Sequence, residues 1–87
     1  MGVFTGRVKE KRTIEEMRAG NTLHCTTRIP GLGTTRFSVV ASGAVAVVDP
    51  VEQMQFPGKV RMGQASTTKD CVVWYMPEDG AVIVRIT

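Results

Sequence analysis

His24 and Cys25 are the residues whose types come closest to catalysis. A thiol beside an imidazole could form a nucleophile and its base, but neighbours on a strand point to opposite faces, so these two cannot pair with each other. Pairing of His24 with the distant Cys71 would need the fold to bring them together. Asp70, Glu78 and Asp79 sit in or beside turns and show no paired-carboxylate spacing. One His and two Cys give too few ligands for a structural metal site. The sequence therefore predicts no catalytic residue, no metal and no cofactor. An enzyme is not the expectation.

Two stretches could instead hold an anion. In Gly31-Leu32-Gly33-Thr34-Thr35-Arg36, glycines would let backbone N–H groups approach a phosphate and two hydroxyls could donate. Arg28 and Arg36 would flank the loop with forked donors. The segment is not a P-loop, having neither the lysine nor the following helix. A tight glycine-containing connection between strands is the plainer alternative. The second stretch is Arg7, Lys9 and Lys11, continued by Arg12. Alternate residues on one strand could follow a phosphodiester backbone, with an exposed Tyr75 or Phe37 stacking a base. A lysine-bearing edge also protects a sheet from aggregation, without any ligand.

The elements that must position these residues read as mostly β. Val3 to Lys11 alternates with Phe4 and Val8 on one face. Thr13-Ile14-Glu15-Glu16 is a capping box opening a helix over about residues 13–19, stopped by Gly20-Asn21. Thr22 to Ile29 reads as a strand ending at Pro30-Gly31. Arg36–Ala41 and Ala44–Val48 read as strands joined by a hairpin-compatible Ser42-Gly43. Asp49-Pro50-Val51-Glu52 carries a helix-start pattern and predicts one helical turn over 50–55. Lys59 to Gln64 follows as a short strand and Ala65-Ser66-Thr67-Thr68 as a polar loop. Val72–Met76 and Ala81–Ile86, joined by Pro77-Glu78-Asp79-Gly80, form a β-hairpin with glycine at positive φ. The sum is a mainly β, small single domain over residues 1–87: a β-barrel or sandwich of about six short strands with one short helix.

That C-terminal hairpin is apolar on both faces. Val72, Trp74 and Met76 alternate with Val73 and Tyr75, and Val82, Val84 and Ile86 alternate with Ala81 and Ile83. A chain of 87 residues has little material to cover both sides. Self-association through Val73, Tyr75 and Ile83 is the expectation, with a central strand covered by the chain's own helix as the alternative. The net charge of +3 is concentrated before residue 37, which suits an anionic partner. The longest apolar stretch, Phe37–Val48, is too short to cross a membrane as a helix. No secretory signal is read, so a cytoplasmic location with free buried thiols is expected. The functional expectation is a non-enzymatic homo-oligomer that binds a macromolecular protein partner in an accessory, inhibitory or assembly role. The alternative is a binder of a nucleotide or nucleic acid. No membrane partner is expected.

Overall fold

The capping box at Thr13 forms as the sequence predicts. In the computed structural model, which describes residues 2–87, the Thr13 hydroxyl accepts the Glu16 N–H at 3.1 Å and a Glu16 carboxylate oxygen accepts the Thr13 N–H at 2.8 Å. The helix it starts, α1, runs Ile14–Arg18. Everything else regular is strand: β1 Val3–Val8, β2 Leu23–Ile29, β3 Gly33–Ala41, β4 Ala46–Val48, β5 Gln53–Met62, β6 Lys69–Met76 and β7 Ala81–Ile86. All pairings are antiparallel, in the order β3-β2-β1-β7-β6-β5-β4, and an additional β3–β5 pairing closes a six-stranded barrel with β4 as an extra strand.

Closure explains how a small chain hides its apolar residues. Alternate side chains of every barrel strand point inward. Tyr75, Phe56, Val73, Val82 and Val84 are all 0–1% exposed. Met17 of α1 is also fully buried and belongs to the same core cluster. The buried Tyr75 hydroxyl accepts the Arg12 backbone N–H at 3.2 Å, so no buried side-chain polar atom lacks a partner among the described residues.

Several expectations are corrected. Val73 and Tyr75 lie inside the barrel and present nothing to a second copy, whereas Ile83 points outward. The two hairpin faces are thus an inner face and an outer one. Phe37, packed edge-to-face on Phe4 at 5.1 Å, is inside as well, so neither Phe37 nor Tyr75 can stack an external base. Ser42-Gly43 does not close a hairpin: β3 and β4 both pair with β5, over different halves of it. Residues 50–55 form no helical turn. Asp49 to Glu52 close the β4–β5 hairpin, with Glu52 at φ 55, and Gln53 already pairs with Val48. The capping pattern lost because Gln53–Met62 is one long strand running through Pro57-Gly58. That Pro sits where β5 changes neighbour from β4 to β3, a place where a missing N–H is tolerated. β1 stops at Val8, so Lys9 and Lys11 are not on it.

The β6–β7 turn is as expected. Gly80 is buried at φ +74, and its N–H donates to the Met76 carbonyl at 2.9 Å. A side chain there would also approach Val8 Cγ2, which lies 3.3 Å from the position of an added Cβ. Gly80→Val is expected to cost about 2 kcal/mol, read as a lower urea midpoint at unchanged slope. An unshifted midpoint would mean that this turn relaxes freely.

Candidate nucleic-acid interface

The registers of β1, β7 and β6 build the outer wall of the barrel in three aligned rows. Val3 faces Arg85, which faces Val72; Thr5 faces Ile83, which faces Trp74; Arg7 faces Ala81, which faces Met76. These are the outward residues of their strands, since the positions between them are the core. The middle of the wall is therefore apolar and its margins carry arginines. Trp74 is half-buried, and the Arg85 guanidinium lies over its ring at 5.4 Å from the centroid.

A projecting arm borders this wall. β2 pairs with β1 only at Thr26 and Cys25, and β3 meets β5 only from Phe37 onward. Residues 27–35 are paired in the sheet only with one another, from Thr27–Thr35 to Ile29–Gly33. The Thr27 hydroxyl donates to the Thr5 carbonyl and pins the arm to β1. Between arm and wall lies an open groove of about 640 Å³, lined by Thr5, Arg7, Thr26, Arg28 and Thr34 with Met76, Ala81 and Ile83 as apolar contacts.

The predicted anion-binding residues are thus redistributed. Arg28 and Thr34, directly paired across the arm, share the groove with Arg7, which the sequence places in a separate basic stripe. Thr35 lies in β3 on the face opposite Thr34, so the two hydroxyls do not converge. Gly31 and Gly33, at φ +86 and +77, shape the tip of the arm and line no part of the groove. Arg36 and Lys9 line a second hollow of about 260 Å³ with Glu10, His24, Cys25 and Phe37. Lys11 and Arg12 leave the basic stripe altogether. Lys11 Nζ donates to the Glu78 carbonyl at 3.0 Å, and Arg12 donates to the Thr22 carbonyl at 3.2 Å and pairs with Glu16 at 3.4 Å. Trp74, Arg85, Thr5 and Thr26 also belong to this surface, and no local motif in the sequence marks them as binding residues.

Charge is segregated more sharply in space than along the chain. Glu15 and Glu16 belong to α1, Asp49 and Glu52 to the β4–β5 turn, and Glu78 and Asp79 to the β6–β7 turn. These elements meet at one end of the barrel, where Lys11, Arg12, Glu15, Glu52 and Pro77 line one hollow. Glu10 lies just beyond β1. Asp70, beside the wall, is matched by Lys59 at 2.7 Å. Among the described residues, the three rows and the groove hold no carboxylate while they hold Arg7, Arg28 and Arg85.

The two thiols and the Tyr75 phenol serve the core. His24 is exposed on the outside, whereas Cys25 and Cys71 are free and buried inside, so no thiol–imidazole dyad forms. Burial pushes the Cys25 thiol from 9.0 up to about 12. Burial, and then the charge of Asp70, raises Cys71, and burial raises Tyr75. Each group keeps its proton in the fold to a higher pH than in the unfolded chain. Their contribution is fully present below the unfolded value and is lost as pH rises through the folded one. Stability should therefore fall from pH 9 towards about 12, by up to about 1.4 kcal/mol per pH unit for Cys25. Urea melts at pH 8 and pH 10.5 check this, with a flatter profile expected for Cys25→Ala. A flat profile in the unaltered protein would contradict it.

Among the described residues there is no cluster of potential metal ligands, and no helix is long and apolar enough to cross a membrane. Compared with protein-family models, curated proteins and solved structures, the chain finds no match in any of the three.

Proposed function

We propose that the protein is a non-enzymatic binding module whose outer wall and groove take a nucleic-acid single strand. The observation that carries this reading is the carboxylate-free wall, with Arg7, Arg28 and Arg85 around a half-buried apolar strip that includes Trp74. A single strand offers both things such a surface needs, phosphates for the guanidinium groups and flat apolar bases for the tryptophan and its neighbours. Threonine hydroxyls at positions 5, 26 and 34 supply further donors inside the groove.

Trp74 is the one tryptophan of the chain, so its fluorescence reports on the wall directly. Titration with an oligothymidylate at low salt is expected to quench it saturably, with affinity falling as salt is raised, and a blunt duplex should compete poorly. Absence of quenching and of any mobility shift at 50 mM salt would discard the reading.

Self-association is the second reading, favoured by the outward, half-buried apolar strip Val72, Trp74, Met76, Ala81 and Ile83. It ranks lower on charge. A two-fold contact through this wall would bring the arginines of both copies together with no facing carboxylate. A particle of twice the chain mass by light scattering, in the absence of nucleic acid, would reverse the ranking. A protein partner with an acidic, apolar surface would compete with the strand for this wall.

A further inference from the structure

We propose that the hollow formed by Lys9, His24 and Arg36 is a separate phosphate-binding pocket, one position further along the strands from the groove. The inference rests on the nucleic-acid reading only where it assigns that phosphate to the bound strand. The pocket exists because β1 ends early. After Val8 the chain turns away through Lys9 and Glu10 towards α1, and the Lys9 N–H donates to the His24 carbonyl at 2.8 Å. From there on β2 and β3 have no β1 beside them. A hollow of about 260 Å³ opens, with Cys25 and Phe37, a directly paired couple, among its lining.

Three residues that carry N–H donors line this hollow from three different segments. Lys9 comes from the end of β1, His24 from β2 and Arg36 from β3. His24 and Arg36 are diagonal neighbours, because His24 pairs with Ser38 and Arg36 with Thr26. An ammonium, an imidazole N–H and a guanidinium fork together suit a tetrahedral oxyanion. Unlike Arg12 and Lys59, neither Lys9 nor Arg36 is in an ion pair among the described residues. Glu10 is the one carboxylate lining the hollow, and Lys9 and Arg36 outnumber it.

The placement also fits a continuous track. Outward positions along β2 run Arg28, Thr26, His24, and those along β1 and its exit run Thr5, Arg7, Lys9. Successive outward positions lie about 7 Å apart, comparable to neighbouring phosphates on an extended strand. Arg28 and Arg7 therefore serve the groove, and Lys9, His24 and Arg36 the next phosphate.

The test uses inorganic phosphate as the probe. His24 is the chain's one histidine, so its ring resonances in an NMR titration are unambiguous. Phosphate, but not chloride at matched ionic strength, is expected to shift them saturably. Lys9→Gln/Arg36→Gln should abolish that shift, and Glu10→Gln should strengthen phosphate binding about threefold. An unmoved His24, or the same shift in the Lys9→Gln/Arg36→Gln variant, would overturn the pocket. Because Glu10→Gln acts in the opposite direction, a fold damaged by the double change cannot imitate the full pattern. Saturable phosphate binding in a protein that ignores oligothymidylate would support the pocket while removing the nucleic-acid reading. Oligothymidylate binding with His24 unmoved by either probe would remove the pocket and leave that reading standing.

Discussion

Replacing Arg7 and Arg28 together by alanine is expected to weaken oligothymidylate binding about 25-fold at 0.1 M salt, with the difference vanishing as salt approaches 1 M. The two guanidinium groups line one groove but come from β1 and from the arm, far apart in sequence. If each neutralises one phosphate, their loss should lower the slope of log affinity against log salt by about 1.4. Both residues are exposed, so the fold should survive. Arg7 also donates to the Asp79 carbonyl at 2.9 Å, an exposed bond whose loss costs little. Lys11→Ala provides the contrast. Its ammonium sits at the acidic end on the Glu78 carbonyl, and its removal should leave affinity within about twofold. A double variant that binds as well as the native protein, with an unchanged salt slope, would show that the groove takes no phosphate.

Gly6→Ala should cost the fold about 3 kcal/mol, a large part of the stability of so small a protein. Gly6 lies in the middle of β1, and a Cβ there would fall 2.6 Å from the Thr26 carbonyl oxygen and 2.7 Å from the Phe37 ring. No rotamer choice relieves this, because one neighbour is backbone and the other is a buried aromatic wedged against Phe4. The only relief is to part β1 from β2, which would also shift the base of the arm held by Thr27 on Thr5. Urea denaturation checks the size of the effect. A midpoint within experimental error of the native one would mean that β1 and β2 separate at little cost.

Local patterns were legible wherever the deciding forces act between near neighbours. The capping box at Thr13–Glu16 formed because both of its hydrogen bonds lie within one turn. The β6–β7 hairpin formed around a glycine whose positive φ the turn requires. The reading failed where a local signal competed with a long-range one. Asp49-Pro50-Val51-Glu52 has helix-start chemistry, yet the pairing of β5 with β3, β4 and β6 together outweighs a single helical turn.

Residue order alone shows that the chain is mainly β, that its last hairpin is apolar on both faces, and that His24 and Cys25 point apart. Each follows from side-chain alternation along a strand, which needs no knowledge of neighbours. Which of the two hairpin faces is the core was decided only by closure of the barrel. The β3–β5 pairing put Val73 and Tyr75 inside and left Val72, Trp74 and Ile83 outside. The candidate site was likewise a tertiary outcome. Arg7 and Arg28 line one groove because β1 pairs with β2 at Thr26, at the base of the arm, and Arg85 reaches Trp74 because β7 pairs with β6. Even the charge pattern, a mild excess near the amino terminus when read in one dimension, became an acidic end and a carboxylate-free wall. Six of the eight carboxylates lie on α1 and on the β4–β5 and β6–β7 turns, and these elements meet at one end of the barrel.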